Sequence, residues 1–192
     1  MIICIEGPDG TGKSTQIRKL QERLSASEDS RVQTFPANMV LSGIIRRMLK
    51  TGSAKKWKNL FQTLFLIDRI LFQIKFFFQK KSEFVILDRW KASGFAYGTA
   101  EGVWWPLLEL GNVLTFNPDI TIILTGGAKR NVSKGDYYDT DKVLQKKVST
   151  NYLIYSLTST SPVKLVENNF GIDSAAEEIY QLVMENDLEW PE

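Results

Sequence analysis

The chain has 192 residues, 43% hydrophobic and 24% charged, an ordinary globular composition with enough length for one full core. Its formal net charge of +2 gives no broad basic field and argues against a nucleic-acid partner. Histidine is absent and Cys4 is the single cysteine, which excludes His-based triads, His metal ligands and any intrachain disulfide.

The chain enters an apolar run at once, Ile2–Glu6, which predicts a buried strand with no signal region before it. Gly7-Pro8-Asp9-Gly10-Thr11-Gly12-Lys13-Ser14 follow, and a helical pattern runs near 12–26. Strand, glycine loop and helix are the required context of the Gly-x-x-x-x-Gly-Lys-Ser phosphate-binding loop. A second strand, Val32–Phe35, ends at Pro36, and helices are expected near 40–51 and 54–80. The stretch from Leu60 to Phe78 is the most apolar, yet Asp68, Arg69 and Lys75 make it too polar for a membrane span. A third strand, Phe84–Asp88, runs into Arg89-Trp90, and a short helix is expected near 105–111. The fourth strand, Ile120–Leu124, leads into residues 126–139. A helix near 140–158, a strand at Val163–Val166 and a helix near 173–184 complete the pattern.

Five strands alternating with helices predict an α/β fold with a mostly parallel sheet, helices on both faces and a single domain over 1–192. In such sheets ligands gather beyond the carboxyl ends of the strands, where the loop at 7–14, Phe35-Pro36, Asp88-Arg89 and 126–139 all fall. The loop chemistry is specific. Glycines let successive N–H groups turn toward phosphate oxygens, and the helix start adds its positive dipole end. Lys13 supplies a point charge to the β- and γ-phosphates, and the Ser14 hydroxyl ligates Mg²⁺. Gly7, Gly10, Thr11, Gly12 and Thr15 complete the expected ATP cradle. Asp88, at a neighbouring strand end, is the second candidate Mg²⁺ ligand.

With these residues in view, the chain resembles the thymidylate kinases, P-loop enzymes that move a phosphoryl group from ATP to a deoxynucleoside monophosphate. Asp88-Arg89-Trp90 resembles the family's Asp-Arg-aromatic signature, and Asp9 lies at the family's loop aspartate. Phe35-Pro36 resembles the start of its acceptor loop, and 64–69 its base-binding helix. The resemblance implies that Phe65 stacks on the base while Arg69 reaches its carbonyl. It further implies that Arg89 and Asp9 position the acceptor phosphate and sugar, and that Tyr97 checks for a missing 2′-hydroxyl. Ser93 lies where the family also has a serine, and Tyr138, in a stretch at 136–139 that resembles an end of the family's mobile lid, is implied as a further substrate contact. Phe65 and Arg69, four apart, share one face of a helix, a geometry that suits a base.

The pattern also departs from the family. Gly10 stands where some members carry a loop arginine, so cationic help must come from a lid at about 126–139. There Arg130 resembles the residue over the adenine, and Lys134 lies near the catalytic lid arginine. Asn38 replaces an acceptor-loop arginine, and Gly94 offers no side chain to the base edge. A looser acceptor pocket, or a phage or viral origin, would fit these changes.

The resulting expectation is ATP + dTMP → ADP + dTDP with Mg²⁺, in nucleotide biosynthesis, in the cytoplasm or a host's cytoplasm. A homodimer through the 54–80 helix is expected, because that helix is apolar nearly all round. Two other readings stay open. A deoxynucleoside kinase would want a carboxylate just after the second strand, where this chain has Pro36-Ala37-Asn38. A kinase-derived module would bind nucleotide without transfer.

Overall fold

The computed structural model describes residues 1–26, 29–37, 41–79, 82–126, 141–169 and 171–188. Its strands are β1 (Ile2–Glu6), β2 (Ser30–Thr34), β3 (Phe84–Asp88), β4 (Ile120–Thr125) and β5 (Val163–Glu167). They form one parallel sheet in the order β2-β3-β1-β4-β5. The helices described are α1 (Lys13–Leu24), α2 (Ser42–Thr51), α3 (Ser53–Lys56), α4 (Lys58–Phe77), α5 (Lys91–Glu101), α6 (Trp105–Leu114), α7 (Lys142–Thr158) and α8 (Ile172–Leu188).

The two-residue period of the strands sorts their side chains between the two faces. Ile3 and Ile5 of β1, with Ile86 and Ile122, pack against Ile17, Leu20 and Leu24 of α1 and Ile179 and Val183 of α8. Cys4, Val85 and Leu87 point the other way, onto Phe35, Phe72, Phe76 and Trp90. Ile123 of β4 joins a third cluster with Phe61, Ala92, Leu144 and Tyr152 from the α2–α4–α5–α7 side. Strands covered on both faces carry continuous apolar runs, which is why β1, β3 and β4 stand out in the sequence.

Register gathers the informative strand ends. Ile5 of β1 and Thr34 of β2 both lie opposite Asp88 of β3, so the glycine loop, the Phe35-Pro36 turn and Arg89 leave the sheet side by side. β2 begins at Ser30, earlier than expected, and the Phe35 N–H still bonds the Asp88 carbonyl at 3.3 Å.

The helix expected over 54–80 is divided. Trp57 (φ −113°, ψ 42°) leaves helical geometry and separates α3 from α4. α6 continues past Gly111 to Leu114. α5 had no counterpart in the sequence reading, because Gly94 and Gly98 look like helix breakers. In the fold they are close-packing positions: a Cβ on Gly98 would lie 2.5 Å from Leu108 Cδ2. Among the described residues no helix is long and apolar enough to cross a membrane.

Candidate active site

One half of the site begins where buried β1 delivers the glycine loop. Gly7 has φ +139°, and a Cβ there would meet the Leu124 carbonyl oxygen at 2.5 Å, so β4 admits only glycine. Gly10 and Gly12 also have positive φ, 81° and 90°. The Lys13 ammonium is buried and donates to the Gly7 and Pro8 carbonyls at 2.9 and 2.6 Å. The Thr11 hydroxyl donates to the same Pro8 oxygen at 2.9 Å. Burial and the nearby Arg89 cation lower the Lys13 pKa to about 7, although Asp9, Asp88 and Glu6 pull the other way. Ser14 and Thr15 occupy the first turn of α1, with the Thr15 N–H bonded to the Gly12 carbonyl at 3.0 Å.

Asp9 joins this half to the next. Its Oδ1 receives the Arg89 guanidinium and stands 3.9 Å from Lys13 Nζ. Its Oδ2 accepts from the Tyr97 hydroxyl at 2.6 Å and from Gln145 Nε2, on α7, at 3.2 Å. Burial alone would raise the Asp9 carboxyl. The two cations and two donors overcome it and hold the group below the usual carboxylate range. Arg89, just past β3, has φ +72°, and its guanidinium lies 5.6 Å from the Tyr97 ring centre.

Beside this cluster opens a cavity of about 190 Å³. Asp9, Arg89, Ser93, Tyr97, Phe35, Pro36, Phe65 and Arg69 all line it. The eight described residues expected at the acceptor thus share one cavity, whose wall also includes Leu49, Phe61, Gln62 and Gly94. The Arg69 guanidinium is buried, 5.8 Å from the Phe65 ring centre and 5.9 Å from that of Trp90. Its Nε has no hydrogen-bond partner among the described residues. Arg69 also lines the cavity, so its guanidinium can meet a carbonyl brought there by a ligand. Asp68, next in sequence, is fully buried and turns away, accepting from the Ala37 N–H at 2.9 Å and tying the Phe35-Pro36 turn to α4.

Ser93 lines the cavity, but its hydroxyl is engaged elsewhere. It bonds the Glu6 carboxylate and lies 2.9 Å from the Tyr152 hydroxyl. Glu6 also accepts the Trp90 N–H at 2.6 Å and the Ser93 N–H at 3.2 Å. This carboxylate at the end of β1 therefore anchors the first turn of α5, and with it the backbone following Arg89. Asp88 is partly buried, and its carboxyl is raised by burial and by Glu6 and Asp9, against Arg89 and Lys13. It receives no side-chain hydrogen bond from the described residues.

A family model described as Thymidylate kinase matches residues 5–183. The chain belongs to the thymidylate kinase family. A probable thymidylate kinase of Methanobrevibacter smithii is 29% identical over 189 residues, covering 95% of this chain and 94% of that one. One of Thermococcus onnurineus is 35% identical over 172 residues, covering 80% and 82%. The thymidylate kinase structure from Candida albicans superposes with a TM-score of 0.77 at 24% identity, covering 97% of this chain and 92% of that one. That of Ehrlichia chaffeensis gives 0.72 at 24%, covering 96% and 98%. These structures share the P-loop α/β fold.

The family's lid residues expected here, Arg130, Lys134 and Tyr138, lie outside the described residues, as does Asn38. Sequence reasoning gave no role to Gln145 or Tyr152, which join the Asp9 and Glu6 clusters from α7. Their signal is weak, since both sit in an ordinary amphipathic helix. Glu6 had a clearer one: an acid closing an apolar run must be paired when buried.

Proposed function

We propose that this chain transfers the γ-phosphoryl group of ATP to dTMP, giving ADP and dTDP. The observation that carries this reading is the position of Asp9, with one oxygen facing the Lys13 loop and the other in the Tyr97 cluster beside a base-sized cavity. The glycine-loop amides and Lys13 hold the donor's β- and γ-phosphates. Arg89 holds the acceptor phosphate, Phe65 stacks on the base, and Arg69 hydrogen-bonds its carbonyl. Tyr97, held to Asp9, fills the space beside the sugar that a 2′-hydroxyl would need. An oxygen of the acceptor phosphate attacks the γ-phosphorus, forming a P–O bond. The bond to the β,γ-bridging oxygen breaks, and its electron pair leaves on ADP. Positioning and charge stabilisation carry this reaction, so no general base is needed.

The oxygen donors present fit Mg²⁺. The Ser14 hydroxyl and Asp88 would hold it, and the Asp88 carboxylate, which receives no side-chain hydrogen bond from the described residues, is available to a hydrated cation. Mg²⁺, when bound, neutralises charge on the β- and γ-phosphate oxygens. Residues 126–139 would act as the lid, with Arg130 over the adenine, Lys134 beside the transferring group and Tyr138 closing on the acceptor.

The homodimer forms through α4. Leu60, Ile67, Leu71 and Ile74 are 37–51% exposed at helical spacing, an apolar stripe that favours association.

The test incubates purified protein with Mg·ATP and each canonical ribo- and deoxynucleoside monophosphate and measures ADP release. The expected result is turnover with dTMP above all others. Turnover confined to ribonucleotides would remove the Tyr97 and Asp9 assignments, and ATP binding without turnover would leave a binding module.

A further inference from the structure

The glycine loop is held from outside by a residue far along the chain. Asn168 follows β5, and its side-chain Nδ2 donates to the Thr11 carbonyl at 2.8 Å. Two further hydrogen bonds fix its own position, and Gln16, which makes one of them, is itself anchored. The Asn168 N–H donates to the Thr125 carbonyl at the end of β4 at 2.9 Å. Its Oδ1 accepts from Gln16 Nε2, on α1, at 3.3 Å. The same Gln16 nitrogen donates to the Ile172 carbonyl at the start of α8 at 3.0 Å. The Asn168 amide also occupies the space where a Cβ on Gly12 would stand. Gly12 thus has two reasons to lack a side chain: its φ of +90° and the amide lying against it.

We propose that Asn168 is a positioning residue for the donor triphosphate. A trans peptide is planar, with its C=O and N–H pointing in opposite directions. Holding the Thr11 carbonyl outward on Asn168 therefore directs the Gly12 N–H to the inner side of the loop, where a phosphate oxygen can accept it. Without Asn168 that peptide is free to rotate, and binding must then supply the ordering that the fold now provides in advance. Asn168 touches no reacting atom in this scheme. Its effect passes through one backbone amide, at the start of α1 where the helix dipole already favours an anion.

This inference rests on the proposed use of the loop for Mg·ATP, and the test separates the two. Binding of Mg·ATP, and separately of dTMP, is measured by titration calorimetry on wild type, Asn168→Ala and Asn168→Asp, together with Tm and steady-state kinetics. Asn168→Asp keeps the shape and the acceptor for Gln16, but replaces the donor to Thr11 with a carboxylate oxygen that repels the Thr11 carbonyl and adds a negative charge beside the loop, so Asn168→Ala carries the uncharged comparison. Both variants are expected to weaken Mg·ATP binding, Asn168→Ala by about three- to tenfold, the scale of one lost hydrogen bond. Asn168→Asp is expected to lose at least as much. The KM for ATP should rise, while kcat, dTMP affinity and Tm stay close to wild type. Wild-type Mg·ATP affinity in both variants overturns the inference and leaves the proposed function standing. A loss shared equally by dTMP binding and Tm also overturns it, since it would mean general loosening. Failure of the wild type itself to bind Mg·ATP defeats both readings.

Discussion

Gly94 yields its side-chain space to Arg69: a Cβ at position 94 would lie 2.6 Å from the arginine's Nη1. The missing side chain is thus the seat of the guanidinium that lines the cavity. Gly94→Ala would gain helix propensity of about 1 kcal/mol while displacing Arg69. The expected outcome is a dTMP Kd raised about tenfold with ATP affinity unchanged, measured by titration calorimetry. Unchanged dTMP affinity would show that Arg69 does not read the base from its present place.

Arg69→Ala tests the same contact from the other side. It should weaken dTMP binding by at least tenfold, as expected when a charged hydrogen bond worth about 1.5–3 kcal/mol is lost. Discrimination among bases should narrow with it, read from kcat/KM across the monophosphates.

Lys13 predicts a proton linkage. With its pKa near 7 in the free protein, the amine is largely neutral at pH 8, whereas a bound triphosphate favours the ammonium. Mg·ATP binding at pH 8 should therefore take up close to one proton, falling toward none at pH 6, as read by calorimetry in buffers of different ionisation enthalpy. The sign for stability is the reverse of a salt-bridged lysine. The folded pKa lies below the unfolded value, so the unliganded protein gains stability from this group as pH rises from about 7 toward about 10.

Glu6→Gln removes a buried charge that accepts from Trp90 and Ser93 at the start of α5. Hydrogen bonds to charged groups are worth about 1.5–3 kcal/mol. A loss of about 2 kcal/mol would lower Tm by about 4–8 °C in a chain of this size. Because the same anchor fixes the backbone after Arg89, the KM for dTMP should rise as well. A variant with wild-type Tm and KM would show the anchor to be dispensable.

Ile74→Glu, on the exposed stripe of α4, should give a protein of monomer mass by light scattering at micromolar concentration, from a wild type of twice that mass. A monomeric wild type would end the dimer proposal.

Much of this arrangement is legible in the chain because its signals are local. The Ile2–Glu6 run, the eight-residue loop and Asp88-Arg89 each sit within a few residues, and strand ends in a parallel sheet must converge. α5 was hidden because Gly94 and Gly98 carry low helix propensity, and the partners that fill their space, Arg69 and Leu108, come from other helices. Gln145 and Asn168 were hidden for a related reason. Each reaches the loop across more than a hundred residues of chain, a distance that no periodicity encodes. The break at Trp57 has no propensity signal, and the packing around it offers none either.

Cys4, on the central strand and wholly shielded, makes the molecule its own unfolding reporter. Burial and the neighbouring Glu6 keep its thiol protonated, so a thiol-specific dye should leave the native chain unlabelled. Labelling kinetics would then count how often the middle of the sheet opens, with no foreign probe introduced.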